Sequence, residues 1–270
     1  MPYTRSTRAK IYYELHGQGE TAMVLSAGMG GSGSFWAPQL PALTRKHTVI
    51  LYDHVGTGRS ISAAGTGPRS IPDMADDVIT VMDDAGIAMA HFAGHAIGGI
   101  IGLELALRHP GRLHSLAVVN GWGRADGFLR RCFEVRKGIL LQSGPQAYVR
   151  AQPLFLYPPQ WISENGARLD EEEARILAHF PAPHVMRDRI DTFLAFDGLD
   201  RIRAIDLPVL LLAAKDDALV PAYLSGELAV ALPRAELVEV PWGAHAFTAV
   251  DPALFNAAFL NFCRDVVPCL

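Results

Sequence analysis

The chain has 270 residues, of which 50% are hydrophobic and 19% charged, a balance typical of a globular protein with a sizeable core and not of a disordered chain. Its formal net charge of −4 gives no reason to expect nucleic acid or an acidic membrane surface as a partner. No stretch approaches the roughly 18 uninterrupted apolar residues of a membrane span, and the first residues lack the apolar run of a secretory signal. Three cysteines (Cys132, Cys263 and Cys269) do not indicate a disulfide framework, so we expect a cytoplasmic protein.

The first part of the chain alternates strand-like and helix-like segments. An edge strand is expected at 10–15, and short apolar runs that end at glycine or a polar turn predict buried strands. The buried strands are expected at 22–27, 49–52, 91–94 and 113–119, and two of the helices at 36–43 and 97–108. A further helix begins at Ser70, which has the residue type of an N-cap and is followed by Asp73, and it stops at Gly86.

The alternation breaks between about residues 122 and 203, where the chain is helical in character, aromatic and punctuated by prolines. It then resumes with strands at 209–214 and 237–240 and helices at 223–232 and 252–266. This order predicts βαβ units in a mainly parallel sheet flanked by helices. We expect an α/β core at 1–121 and 203–270 with a helical cap inserted at 122–202. Ligands of such sheets bind outside the carboxyl ends of the strands.

Residues 94–98 read Gly-His-Ala-Ile-Gly, at the junction of a predicted strand and a predicted helix. The pattern is that of a nucleophile elbow, G-x-S-x-G, with Ala96 where the serine stands. A methyl group cannot attack a carbonyl, so Ala96 is an elbow position without a nucleophile. Backbone donors do not depend on that side chain, and the amides of Ile97 and Met29 remain candidates for an oxyanion hole.

Two further segments follow later strands in the order nucleophile position, acid, histidine, which is the order found in enzymes with such an elbow. Asp217 follows the strand at 209–214, and His245 follows the last strand. His245 is a candidate general base, and a carboxylate on its other ring nitrogen would fix the tautomer. We assign the carboxylate to Asp217, with Asp216 as the rival candidate. The structural alternatives are a solvated turn aspartate and a packed or surface histidine.

Together with the Gly-Thr-Gly-Arg-Ser turn at 56–60, these motifs resemble the α/β-hydrolase superfamily over nearly the whole chain. Segments 30–36, 94–96, 120–122, 130–136 and 151–158 are similar to the RutD family. That resemblance implies hydrolysis of a small labile C–N substrate, aminoacrylate or carbamate, in the Rut pathway for pyrimidine (uracil) nitrogen. Alanine at the elbow fits this family. With the serine absent, water activated by His245 would be the nucleophile.

An anionic substrate of this kind needs a cation, and the predicted cap carries several arginines. We expect the substrate-binding residues to be Trp122, Arg130 and Arg131. The structural alternative is a solvated helix face, on which Arg130 and Glu134 would form an ordinary ion pair.

Other interpretations stay open. The chain could be a catalytically silent ligand-binding or scaffold member of the fold, a cofactor-independent lyase or oxygenase, or an esterase whose serine was replaced by engineering. Metal binding by His91 and His95 lacks a third ligand candidate, and Cys132 as a replacement nucleophile lacks a nearby base in sequence. We expect no cofactor and no metal, a small-molecule substrate, and a homodimer as the default assembly.

Overall fold

The computed structural model describes residues 3–5, 9–63 and 67–266; Cys269 lies outside them. Seven strands form one sheet in the order β2-β4-β3-β6-β7-β8-β9, and two short strands, β1 and β5, form a separate antiparallel pair. The strands are β1 (Ala9–Lys10), β2 (Tyr13–His16), β3 (Thr21–Ser26), β4 (His47–Tyr52), β5 (Ile61–Ser62), β6 (Ala90–His95), β7 (Leu113–Val119), β8 (Val209–Ala214) and β9 (Ala235–Val240).

The helices connect these strands and form one long insertion. They are α1 (Leu40–Leu43), α2 (Ile71–Asp84), α3 (Ile97–Arg108), α4 (Gly127–Ala151), α5 (Pro153–Leu156), α6 (Pro159–Glu164), α7 (Gly166–Ala178), α8 (Pro183–Leu194), α9 (Ala222–Ala231), α10 (Phe247–Val250) and α11 (Pro252–Val266). Helices α4 to α8 lie between β7 and β8, and we call them the helical insertion. The prediction that residues 122–202 form a cap domain stays a prediction.

The sheet is parallel from β4 to β9, with β2 antiparallel at its edge. Its central strands are buried on both faces, so consecutive side chains enter different clusters. On β3, Val24 faces the cluster that includes residues of α2 and α3, whereas Leu25 faces Trp36 and Phe255. The predicted α/β architecture with a mainly parallel sheet is confirmed.

Two predicted elements differ from the structure near the N-terminus. The helix expected at 36–43 is a 3-10 turn, Gly33–Gln39, followed by the single turn α1, because Pro38 and Pro41 remove backbone donors there. The edge strand expected at 10–15 is split into β1 and β2, since the amide of Tyr12 donates to the hydroxyl of Ser60 at 2.8 Å. The helix start at Ser70 is a capping box with Asp73, as its spacing predicts.

Candidate active site

The parallel strands bring four segments to one edge of the sheet. β6 ends at the elbow, β7 is followed by Asn120, β8 by the Asp216–Asp217 turn, and β9 by the loop that carries His245. Because the carboxyl ends of parallel strands lie at the same edge, residues far apart in sequence meet there. The candidate site is therefore built from strand ends and not from one contiguous motif.

The elbow has the strained backbone of a nucleophile elbow although residue 96 is alanine. Ala96 has φ 51° and ψ −107°, a conformation that costs a non-glycine residue about 1–3 kcal/mol, and its amide donates to the carbonyl of Val119 at 2.7 Å. A Cβ at Gly94 would lie 2.1 Å from the Gly98 backbone, and one at Gly98 would lie 2.3 Å from the carbonyl of Ser26. Glycine is required at both positions for the turn to close against β3.

His245 and Asp217 form a buried pair. Nδ1 of His245 lies 2.7 Å from Oδ2 of Asp217, and the two side chains are 4% and 0% exposed. The other carboxylate oxygen, Oδ1, accepts the amides of Leu219 and Val220 at 2.8 Å each. An ionised Asp217 thus accepts the Nδ1 proton, which leaves Nε2 of His245 as a proton acceptor.

Asp216, the rival acid, does not contact the imidazole. Its two carboxylate oxygens accept the amides of Gly243 at 3.1 Å and Ala244 at 2.9 Å. These residues have φ values of 121° and 54°, so the bonds hold a strained loop immediately before His245. The two adjacent aspartates therefore have different contacts. Asp217 binds the imidazole ring of His245, and Asp216 binds the loop that precedes it.

Two side chains fix the backbone of His245. Its carbonyl accepts Nε2–H of His95 at 2.7 Å and Nδ2–H of Asn120 at 2.8 Å. Burial lowers the pKa of His95 to about 3, so this ring is neutral and donates through Nε2. Asn120, itself at φ 48°, accepts the amide of Ala214 at 3.1 Å. The bonds of Asn120 tie the ends of β7 and β8 to the histidine loop, a role that its place in sequence does not reveal.

The two amides expected to form an oxyanion hole lie on adjoining segments. Ile97 is the first residue of α3, where a backbone N–H has no acceptor within its own helix. Gly98 packs against the backbone of Ser26 and Ala27, directly before the loop that contains Met29. The elbow and the Met29 loop therefore adjoin at the sheet edge.

The predicted substrate-binding residues separate in the structure. Trp122 is fully buried, and its indole Nε1 has no hydrogen-bond partner among the described residues. Arg130 and Arg131 are exposed, and Nε of Arg130 donates to the carbonyl of Ala125 at 3.3 Å. The structure does not bring these two arginines together with the His245–Asp217 pair.

Two other arginines of the helical insertion are buried instead. Nη2 of Arg189 lies 3.1 Å from the carbonyl of Met29 and 3.1 Å from Nδ1 of His54. Burial lowers the pKa of Arg189 to about 10 and that of His54 well below its usual range, so at neutral pH a charged guanidinium donates to a neutral imidazole. Arg136 donates to the hydroxyl of Tyr148 at 3.3 Å.

The spacing of apolar residues in α4 and α8 is a sequence signal for these two buried arginines. Arg189 is buried in register with Met186 and Phe193 of α8, and Arg136 with Phe133 and Leu140 of α4. Each arginine thus occupies the apolar phase of an amphipathic helix. A charged residue in that phase is either paired inside the protein or facing a polar ligand.

Two alternative chemistries would require a metal-binding cluster or a reactive thiol. Within the described ranges, no group of three or more His, Cys, Asp or Glu side chains could hold a metal ion. Sγ of Cys132 lies 3.9 Å from the carbonyl of Ala218, and burial raises the pKa of this thiol, which opposes the thiolate form needed for attack. No helix among the described residues has the length and apolar character needed to cross a membrane.

Comparisons with known proteins show the family to which the chain is similar. Residues 21–147 match the profile of a family described as alpha/beta hydrolase fold. A protein of Azorhizobium caulinodans named "Putative carbamate hydrolase RutD" is 62% identical over 266 residues, covering 98% of this chain and 99% of that protein. A protein of the same name from Caulobacter vibrioides is 51% identical and covers 93% of this chain and 94% of that protein.

Solved structures with the same fold include an enol-lactonase and a protein described as a hydrolase. The enol-lactonase of Burkholderia xenovorans superposes with a TM-score of 0.87 at 25% identity, over 97% of this chain and 99% of that chain. A hydrolase of Pseudomonas aeruginosa superposes with a TM-score of 0.85 at 25% identity, over 96% and 97% of the two chains.

Proposed function

Since this chain belongs to the RutD family and has the α/β-hydrolase fold, we propose that it is a hydrolase of a small, labile C–N substrate, aminoacrylate or carbamate, in the use of pyrimidine nitrogen. The observation that carries the proposal is the buried His245–Asp217 pair beside an elbow whose position 96 is alanine. The general base is kept and the covalent nucleophile is absent. This combination fits hydrolysis by water.

In the proposed reaction, aminoacrylate reacts as its imine tautomer, in which the methylene carbon has taken a proton and the nitrogen has lost one; carbamate reacts directly. Nε2 of His245 removes a proton from a water molecule, and the water oxygen bonds to the carbon that bears nitrogen. The imidazolium is stabilised by Asp217 and returns the proton to the nitrogen. In the imine adduct the new hydroxyl group then passes its proton to the nitrogen, the C–N bond breaks, and ammonia leaves with the keto acid; in the carbamate adduct ammonia leaves with bicarbonate. The amides of Ile97 and Met29 stabilise the negative charge that develops on the substrate. The volume that a serine hydroxyl would fill above Ala96 accommodates the attacking water.

The expected rate gain suits a labile substrate. A positioned general base contributes about 10²–10⁴-fold, and an oxyanion-hole donor about 3 kcal/mol. Without a covalent intermediate, these terms are too small for useful hydrolysis of an unactivated amide. They suffice for an enamine acid or a carbamate, which decay spontaneously. The missing serine and the proposed substrate class therefore agree chemically.

Ammonia release from freshly generated aminoacrylate, and in a parallel arm from carbamate, tests the proposal. We expect His245→Gln to lower the enzymatic rate by about 100-fold or more, since it removes the base. The matched control is His184→Gln, which changes an exposed histidine of α8. An unchanged rate in folded His245→Gln would exclude the general-base mechanism, and no acceleration of either substrate by the native protein would refute the proposed function.

A further inference from the structure

We propose that Arg136, Arg189 and the indole of Trp122 form a subsite for the carboxylate group of a short organic acid. In this acid the reacting carbon and the carboxylate carbon are different atoms. The inference deepens the proposed function and rests on it for the identity of the reaction. Carboxylate binding at this subsite is a separate property, which can be measured without turnover.

The first argument is uncompensated charge. Arg136 and Arg189 are only 2% and 5% exposed, and within residues 3–5, 9–63 and 67–266 their hydrogen bonds go to uncharged groups, those of Arg136 to Tyr148 and Gln152. Buried charges are costly unless they are paired. The protein partners of Arg189 are a carbonyl and an imidazole, which hold the guanidinium without neutralising it. A bound anion would supply the missing charge.

The second argument is the set of unused donors. Nε of Arg136, Nε of Arg189 and Nε1 of Trp122 are all buried without a hydrogen-bond partner within the described part of the chain. All three are N–H groups, and none can accept. Buried donors of this kind are normally satisfied. A carboxylate offers two oxygens with about four lone-pair positions, so it complements this set better than a neutral amide or ester does.

Contacts connect these donors to one another. The ring of Phe133 lies 6.5 Å from that of Trp122 and 5.1 Å from the Arg136 guanidinium. Tyr148 accepts from Arg136, and its electrostatic interaction with Arg189 opposes the lowering of that arginine's pKa. The aromatic rings of Phe133 and Tyr148 thus link the three donor side chains.

Further contacts link this cluster to the segments that flank the His245–Asp217 pair. Arg189 donates to the carbonyl of Met29, whose amide is an oxyanion candidate. The amide of Ala246, next to His245, donates to the carbonyl of Leu156 at 2.8 Å. The neighbouring Phe155 ring lies 5.5 Å from the Arg136 guanidinium. The cations therefore come from α4 and α8 of the helical insertion, while the reacting groups come from the strand ends.

The separation between the arginines of the helical insertion and the reacting groups at the strand ends determines which class of substrate fits. A molecule bound across it has its carboxylate on the helical insertion and its reacting carbon at His245. In aminoacrylate the carboxylate carbon and the C–N carbon are different atoms, whereas in carbamate they are the same atom. The subsite therefore favours short acids of the aminoacrylate type.

Equilibrium binding of sodium propionate, measured by calorimetry, tests the subsite, with neutral propionamide as the isosteric control. We expect propionate to bind the native protein at least about 10-fold more tightly than propionamide. Arg136→Gln and Arg189→Gln should each weaken propionate binding by about 10- to 100-fold. The matched control is Arg187→Gln, an exposed position two residues from Arg189 on α8. The comparison of the two probes on the native protein needs no variant to fold.

Equal binding of propionate and propionamide would overturn the subsite, as would Arg189→Gln and Arg136→Gln variants that bind propionate as Arg187→Gln does. Turnover of carbamate without turnover of aminoacrylate would overturn the assignment of a separate reacting carbon. If the native protein binds propionate selectively but accelerates neither substrate, the proposed function fails and the subsite stands. His245→Gln, which lacks the base, should bind propionate as the native protein does.

Discussion

Replacement of Arg189 by methionine tests whether the buried charge of this side chain stabilises the fold or serves only to bind a carboxylate ligand. The Arg189 guanidinium is buried without a carboxylate partner among the described residues, and burial lowers its pKa from 12.5 to about 10. For a base with a lowered pKa, the folded state disfavours the charged form. The penalty is complete below about pH 10, and it is relieved only as the pH rises from there towards the unfolded value. At neutral pH the protein therefore carries the whole penalty.

The size of this penalty follows from the two pKa values. The lowering from 12.5 to about 10 corresponds to about 3 kcal/mol against the charged side chain. The bonds to the carbonyl of Met29 and the imidazole of His54 offset about 1 kcal/mol each. The cation–π contact with Phe193 offsets up to about 1 kcal/mol, part of which a methionine sulfur would restore. We expect Arg189→Met to leave the free energy of unfolding unchanged or to raise it by about 1 kcal/mol.

Urea unfolding at pH 7 measures this difference in the absence of any carboxylate ligand. Arg187→Met, at an exposed position of the same helix, should change the free energy of unfolding by less than about 0.5 kcal/mol. Asp53→Asn is the opposite control, because the carboxylate of the buried Asp53 accepts the amides of Gly33 and Arg59 at 2.8 and 2.9 Å as well as the half-exposed Arg59 guanidinium at 2.8 Å, and weakening such charge-assisted bonds costs about 2–3 kcal/mol. A loss above about 2 kcal/mol for Arg189→Met would show that the protein itself neutralises this charge, and the reasoning behind the carboxylate subsite would be refuted.

Three further outcomes are expected from substitutions of carboxylate side chains. Asp217→Asn should lower ammonia release by about 100-fold, as His245→Gln does, because the wrong imidazole tautomer of His245 is then favoured and the base is lost. Asp216→Asn should lower it by only about 10-fold, since a single loop contact is weakened; the reverse order would make Asp216 the acid. Burial raises the pKa of Asp77 to about 6, so its contribution to stability is present below about pH 4 and lost as the pH rises through 6. Asp77→Asn should remove that decline in urea unfolding between pH 4 and 6, and an unchanged slope would contradict this account.

Local signals in the sequence predict much of the fold. The strand at Leu113–Val119 and the helices at Ile97–Arg108 and Pro252–Val266 lie where hydrophobic periodicity and flanking proline or glycine predict them. The segment at 36–43 does not follow its periodicity, because its prolines favour a tight turn that a pattern of apolar residues does not encode. Local geometry is predictable when backbone donors and side-chain pattern agree.

The candidate site is likewise predictable from the sequence only in part. His245 and Asp217 follow successive strands of a parallel sheet, so topology brings them to one edge, whereas the choice between Asp217 and Asp216 rests on the 2.7 Å contact in the structure. The positions of Arg136 and Arg189 depend on how α4 and α8 pack over that edge, which is a long-range property. Sequence reasoning selected Arg130 and Arg131, which the structure places on the exposed side of α4.

The alanine at the elbow also determines how this protein responds to reagents. Fluorophosphonates and sulfonyl fluorides label hydrolases of this fold by trapping the elbow serine as a stable ester. Ala96 offers no oxygen to trap, and burial raises the pKa of the Cys132 thiol, which disfavours its reactive thiolate form. Serine-directed labelling of active hydrolases would therefore not label this protein at its elbow. In a mixture, such inhibitors would inhibit the serine hydrolases of the same fold and leave the activity of this protein intact.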